Sequence, residues 1–269
     1  MTIRFVKAQG AGNDFLLARG LESLPDTQLA ALARAICDRH RGAGADGLVV
    51  FTAPARIRLF NSDGSEAEIS GNGTRCAAAL LIDEGAAGDS VTIETQAGPK
   101  PLRLLERRGN LFRLEMGMGK PAYHPEEVGC TLHTSRGPFT VTLLNVGNPQ
   151  CVLLVDAIPE DWDAIGATIE SHPRFPRRTN VSFVRATGRH TIEARFYERG
   201  AGPTLSSGTG ATGAAVAAVL SGRVESTVRV VTLAGDLEID WRPGEEARLR
   251  GPAEITARGE FYWSGPELQ

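Results

Sequence analysis

Residues 70–76 read SGNGTRC and residues 207–213 read SGTGATG. Each begins with serine, continues through small residues and is followed by an alanine-rich apolar run, AAALL in the first case and AAVAAVL in the second. That pattern is a tight turn entering a helix. The first N–H groups of a helix lack an intrahelical partner and carry the positive end of its dipole, and glycine lets a ligand approach them closely. One such turn serves packing as readily as binding. Two of them, brought to one anion, would hold a carboxylate and stabilise negative charge that builds on it during reaction. Ser70 and Ser207 would then flank the carbon beside that carboxylate from opposite sides. Removing a proton on one face and returning one on the other requires that arrangement. Serine is also a good N-cap, and the two roles are compatible.

Asn13 in GAGNDF, Asn61 in NSDGSE, Asn148 in NVGNPQ, Asn180 in RRTNVS and the pair Glu198–Arg199 in FYERGAG lie in loop-like stretches beside strand ends. Singly, each asparagine suits a turn. Together they offer amide donors and acceptors, one carboxylate and one guanidinium. That set fits a zwitterion, with Arg199 for a carboxylate and Glu198 for an ammonium.

The elements that must position these groups are mostly strands. IRFV (3–6), GLVVFT (47–52), RIRLFN (56–61), VTIET (91–95), LRLLER (102–107) and LFRLEM (111–116) are short, rich in branched residues and punctuated by Gly, Asp, Pro or Asn. ERRGNLF (106–112) reads as a hairpin turn. In TQLAALARAICDRH, Leu29, Leu32, Ala33 and Ile36 recur at helical spacing. GMGKPAYHP (117–125) is a break, and the pattern then restarts. FTVTLLNV, CVLLV, NVSFVRAT, HTIEARFYE and STVRVVTL read as strands, and DWDAIGATIESHP holds a helix. The helices after the two serine turns are apolar nearly all round, so each must be buried on every side. The expected fold is α+β, two pseudo-symmetric lobes, each a curved, mostly antiparallel sheet wrapped around a central helix. The N-terminal lobe is expected over 1–118, completed by residues from about 263 to 269, and the C-terminal lobe over 119–262.

The chain has 269 residues, a net charge of −3 and 42% hydrophobic residues. It therefore lacks the basic field that nucleic acid would select. Its longest apolar runs fall far short of the ~20 residues that span a bilayer, and MTIRFVKAQG has no signal-peptide core. A cytoplasmic location with reduced thiols is expected. Cys37, Cys76, Cys130 and Cys151 show no CxxC spacing, and the single C-x-x-H of Cys130 and His133 has no second pair to complete a zinc site.

Taken together, GAGNDF, DRHRGAGADGLV, FNSDGSEAEISGNGTRC, NVGNPQ, TNVSFV and YERGAGPTLSSGTGA resemble the diaminopimelate epimerase family along essentially the whole chain. The resemblance implies interconversion of LL- and meso-diaminopimelate without cofactor or metal, in the synthesis of lysine and peptidoglycan precursors. It implies a small diamino dicarboxylate as the ligand, with no nucleic-acid or membrane partner; a homodimer is left open. Asn13, Asn61, Asn148, Asn180, Glu198 and Arg199 match substrate-holding positions, the last three at the distal amino-acid end. Gly71–Asn72 and Gly208–Thr209 match the turns on the reacting carboxylate.

The departures concern the acid and base. The family places cysteines where this chain has Ser70 and Ser207, a histidine at Gln150 and a glutamate at Pro203. Cys76 matches a second, non-catalytic family cysteine. A thiol ionises near pH ~8.5, whereas an unactivated alcohol is closer to water at about 15.7. No histidine or lysine lies near either turn in sequence. The alternatives are an epimerase using a serine pair, a silenced or very slow diaminopimelate-binding homologue, and a racemase or epimerase of another amino acid.

Overall fold

The computed structural model describes residues 1–265. The chain divides into two compact units, one of Met1–Met116 together with the chain from Pro252, the other of Gly117–Gly251.

In the first unit the strands are β1 (Thr2–Gly10), β2 (Asn13–Ala18), β3 (Gly47–Ala53), β4 (Arg56–Asn61), β5 (Glu66–Ala67), β6 (Ser90–Thr95), β7 (Gly98–Arg108) and β8 (Leu111–Gly119). Helix α1 (Asp26–Cys37) joins β2 to β3, and α2 (Gly71–Asp83) joins β5 to β6. β2 runs parallel to β3 and β4 parallel to β6, while β1–β2, β3–β4, β6–β7 and β7–β8 are antiparallel. A parallel neighbour needs a crossover, and the two helices supply it.

The second unit repeats this plan. Its strands are β9 (Cys130–Thr134), β10 (Gly137–Asn145), β11 (Pro149–Leu154), β12 (Asn180–Gly188), β13 (Thr191–Glu198), β14 (Gly202–Thr204), β15 (Val228–Thr232) and β16 (Gly235–Asp240). Helix α3 (Trp162–Glu170) crosses from β11 to its parallel neighbour β12, and α4 (Gly208–Leu220) leads from β14 to β15, which lies parallel to β13. The short strands β5 and β14 each hang on the strand before the serine turn.

The last strand, β17 (Ala247–Tyr262), pairs with β16 through Arg248–Arg250 and with β1 from Glu254 to Tyr262. One continuous strand thus serves the sheets of both units, and in the first it lies between β1 and β8. The chain accordingly rejoins the first unit at Pro252, earlier than the 263 expected from sequence. Of that expected closing segment, Trp263 packs with the α1 core, and residues 266–269 lie outside the described residues.

Burial explains both kinds of helix. Leu29, Leu32, Ala33 and Ile36 of α1 are fully buried against β3 and β4, as their spacing predicts. In α2 every residue from Gly71 to Ile82 is buried, and in α4 every residue from Gly208 to Ala218. Both are central helices enclosed by their own unit's sheet, α2 touching β1, β2, β6 and β7, and α4 touching β10 to β13, β15 and β16. Small side chains permit this enclosure. A Cβ on Gly73 would meet Leu59 Cδ1 at 2.8 Å, and one on Gly210 would meet the Phe196 ring at 2.7 Å.

Candidate active site

Ser70 and Ser207 are the N-caps of α2 and α4. Both have extended backbones, and each Oγ accepts the N–H of the glycine three residues on, Gly73 or Gly210, at 3.1 Å. This leaves the N–H groups of Gly71 and Asn72, and of Gly208 and Thr209, ahead of the capped position. The flanking helices α1 and α3 carry Asp26 and Asp163 in their first turns, whereas α2 and α4 carry no acidic residue there. Acidic groups normally offset the positive end of a helix. Their absence from the two buried helices keeps both N-termini suited to an external anion.

In the first unit, Asn72 and Asn13 are bonded to each other, Asn72 Nδ2 donating to Asn13 Oδ1 at 3.2 Å. Asn13 Nδ2 donates to Asp46 at 2.8 Å, and Asn72 Oδ1 accepts from Arg75 at 2.5 Å. Asn61 stands apart from this chain. It braces its own turn, donating to Ser65 Oγ at 2.9 Å, and pairs across the sheet with Gly47, next to Asp46. Arg75 and Asp46 were not among the residues singled out from sequence. The visible signal was an arginine inside an otherwise apolar helix, four positions past its start.

In the second unit, Asn148 donates to Thr209 Oγ1 at 3.2 Å and accepts from Gln150 Nε2 at 2.6 Å. Gln150 therefore orients the amide of Asn148, while its own Oε1 is buried without a partner. Asn180 bridges two strand ends, donating to the Pro149 carbonyl at 2.9 Å and accepting the Arg199 N–H at 3.1 Å. Buried Glu170 takes the Gly200 N–H at 3.2 Å and fixes the same 198–202 turn.

Glu198 meets Ser207 directly. The Ser207 hydroxyl donates to Glu198 Oε2 at 2.8 Å, and the Thr204 hydroxyl to Oε1 at 2.8 Å. The hairpin that sets Glu198 opposite Gly202 brings the carboxylate back to the serine. The group placed to take the Ser207 proton is thus a carboxylate nine residues before it, not a histidine or lysine. Ser70 differs: within its unit, among the described residues, its hydroxyl accepts from Gly73 and donates to none.

The cysteines hold no comparable place. Burial pushes the thiols of Cys37 and Cys76 up to about 12 and that of Cys151 higher still. None of the three is a thiolate at neutral pH, and Cys130 alone is partly exposed. With an aromatic disulfide reagent at pH 8, one thiol, that of Cys130, should react rapidly in the native protein. The other three should react only after denaturation; fast labelling of Cys76 without denaturant would contradict the enclosure of α2. No group of His, Cys, Asp and Glu among the described residues is arranged to hold a metal ion.

The model of the family described as diaminopimelate epimerase matches residues 5–124 and 142–256. The diaminopimelate epimerase of Pelotomaculum thermopropionicum is 40% identical, covering 96% of this chain and 99% of that protein. The chain belongs to the diaminopimelate epimerase family. Another relative in the family, the diaminopimelate epimerase of Moorella thermoacetica, is 39% identical over the same shares of both chains. Membership makes this chain an isomerase of the amino-acid epimerase type. Solved structures extend the likeness in fold. A probable proline racemase from Agrobacterium radiobacter K84 aligns with a TM-score of 0.73 at 17% identity, covering 96% of this chain and 92% of its own. A predicted epimerase from Pseudomonas aeruginosa aligns at 0.71 and 18% identity, covering 97% and 100%. No helix among the described residues is long and apolar enough to cross a membrane.

Proposed function

We propose that the chain interconverts LL- and meso-diaminopimelate by proton transfer at the α-carbon, without a cofactor, in the supply of lysine and peptidoglycan precursors. The observation that carries this reading is one serine–glycine turn repeated at the N-termini of two fully buried helices, neither with an acidic first turn. Both turns act on the reacting carboxylate, through Gly71–Asn72 and Gly208–Thr209. Asn13, Asn61, Asn148, Asn180 and Arg199 hold the remaining polar groups of the substrate. Ser207 takes the α-proton as its own proton passes to Glu198, and the C–H electron pair moves into the carboxylate. The helix N-termini stabilise that charge. Ser70 returns a proton to the opposite face, water reprotonates the Ser70 oxygen, and the hydroxide so formed takes up the proton held by Glu198. The reverse direction uses the same groups in opposite order.

A second reading rests on Ser70, whose hydroxyl finds no acceptor within its unit. It is a homologue that binds diaminopimelate and turns it over very slowly. Incubating the protein with LL-diaminopimelate in D₂O separates the two. Deuterium at the α-carbon with formation of the meso isomer is expected for the epimerase. Binding without exchange would leave only the silenced homologue, and no binding at all would point to another amino acid.

A further inference from the structure

Arg75 is fully buried, yet among the described residues no carboxylate neutralises it. Its three side-chain bonds end on neutral oxygens: the Pro252 carbonyl at 3.1 Å, the Gly71 carbonyl at 3.2 Å and Asn72 Oδ1 at 2.5 Å. Burial pushes the guanidinium down to about 10, which still leaves it cationic at neutral pH. Gly10 covers it so closely that a Cβ there would meet Arg75 Nη2 at 3.3 Å. A buried cation kept without a counter-ion costs stability, so its placement calls for another account.

From the Arg75 and Asp46 flanks of the paired asparagines, we infer that these two residues are positioning residues for Asn72 and Asn13. The inference rests on the proposed role of Asn13 and Asn72 in holding substrate. An asparagine amide presents either its oxygen or its NH₂ to a ligand, and the two ends have nearly the same shape. A guanidinium only donates, so Arg75 fixes the oxygen of Asn72 toward itself. The Asn72 NH₂ must then face Asn13, and Asn13 must offer its oxygen. The Asn13 NH₂ is thereby turned to Asp46, which as a carboxylate only accepts. Asp46 is itself anchored, taking the Asp14 N–H at 3.1 Å and Arg39 at 2.8 Å. Both ends of the relay enforce one sense, and reversing either amide sets donor against donor or acceptor against acceptor. Arg75 also draws electron density from the Asn72 amide, which strengthens its remaining N–H as a donor to an anion.

Side-chain amide NMR of protein labelled with ¹⁵N-asparagine tests this with no ligand present. In the wild type, the NH₂ pairs of Asn13 and Asn72 should each show one shifted, slowly exchanging proton. Asp46→Ala, on an exposed side chain, should release the Asn13 pair, and Arg75→Met the Asn72 pair, with Arg75→Lys restoring part of the protection. Binding of LL-diaminopimelate should weaken about tenfold or more in Arg75→Met and Asp46→Ala, in keeping with the loss of one charge-assisted bond. Unchanged Asn13 amide signals in Asp46→Ala would overturn the inference, even if Arg75→Met fails to fold. Wild-type protein that shows the protected amides but does not bind diaminopimelate would refute the proposed substrate and leave the relay standing.

Discussion

Replacing Ser70 and Ser207 together by cysteine should raise α-proton exchange from LL-diaminopimelate by at least about 10²-fold at pH 8, within the range of general acid–base contributions. The acidity gap between an alcohol near ~15.7 and a thiol near ~8.5 is about seven units, or roughly 10 kcal/mol. The expected gain is smaller than that gap because a weaker base also accepts the proton with less driving force. The positions favour the change, since a helix N-terminus lowers a thiol's pKa further. Each single variant should accelerate exchange less than the double variant, because inversion needs a competent group on both faces. The same substitutions should cost stability. Both serine oxygens cap a glycine N–H at 3.1 Å, and sulfur caps poorly. Losing a serine cap costs about 0.5–2 kcal/mol, which urea denaturation would register as a lower midpoint. A stable, folded double variant that binds substrate but exchanges no faster would sink the assignment of positions 70 and 207 as acid and base. Attention would then turn to Gln150 and Pro203.

Periodicity made much of the fold legible. RIRLFN, VTIET and the face of α1 read correctly because alternating or helical burial leaves a pattern in residue type. β2 did not read as a strand: NDFLLA follows a glycine turn and is buried along its last four residues, so nothing alternates. β5 and β14 are too short to have a period at all. The α1 helix ends at Cys37, short of the expected His40, because the Asp38 carboxylate accepts the N–H groups of His40 and Arg41 and turns the chain. The site divides in the same way. The candidate residues stand out in the sequence because Gly and Asn at strand ends are conspicuous. The Asn13–Asp46 and Ser207–Glu198 contacts are not legible, because they run across strands or a hairpin, whereas Arg75 meets Asn72 at the i, i+3 spacing of one helix.

Glu198 is where sequence and structure suggest different chemistry, and Glu198→Gln should decide it. From residue type alone its carboxylate suits a substrate ammonium, whereas its position beside Ser207 suits a proton acceptor. Glutamine keeps the shape, accepts one of the two hydroxyls through its Oε1 and donates from its NH₂ to the oxygen of the other, but it cannot take a proton. If Glu198 drives Ser207, the variant should lose about 10²–10⁴-fold in exchange rate while its Kd for diaminopimelate changes only a few-fold. If Glu198 instead holds the ammonium, the Kd should rise tenfold or more, as expected when a charge-assisted bond is lost, and exchange at saturating substrate should change little. Calorimetric binding and deuterium exchange on the same preparation separate these outcomes. Expectation favours the first, because both carboxylate oxygens already accept hydroxyls at 2.8 Å. An ammonium would have to share oxygens that are already engaged, whereas a proton leaving Ser207 has only to move along a bond already in place.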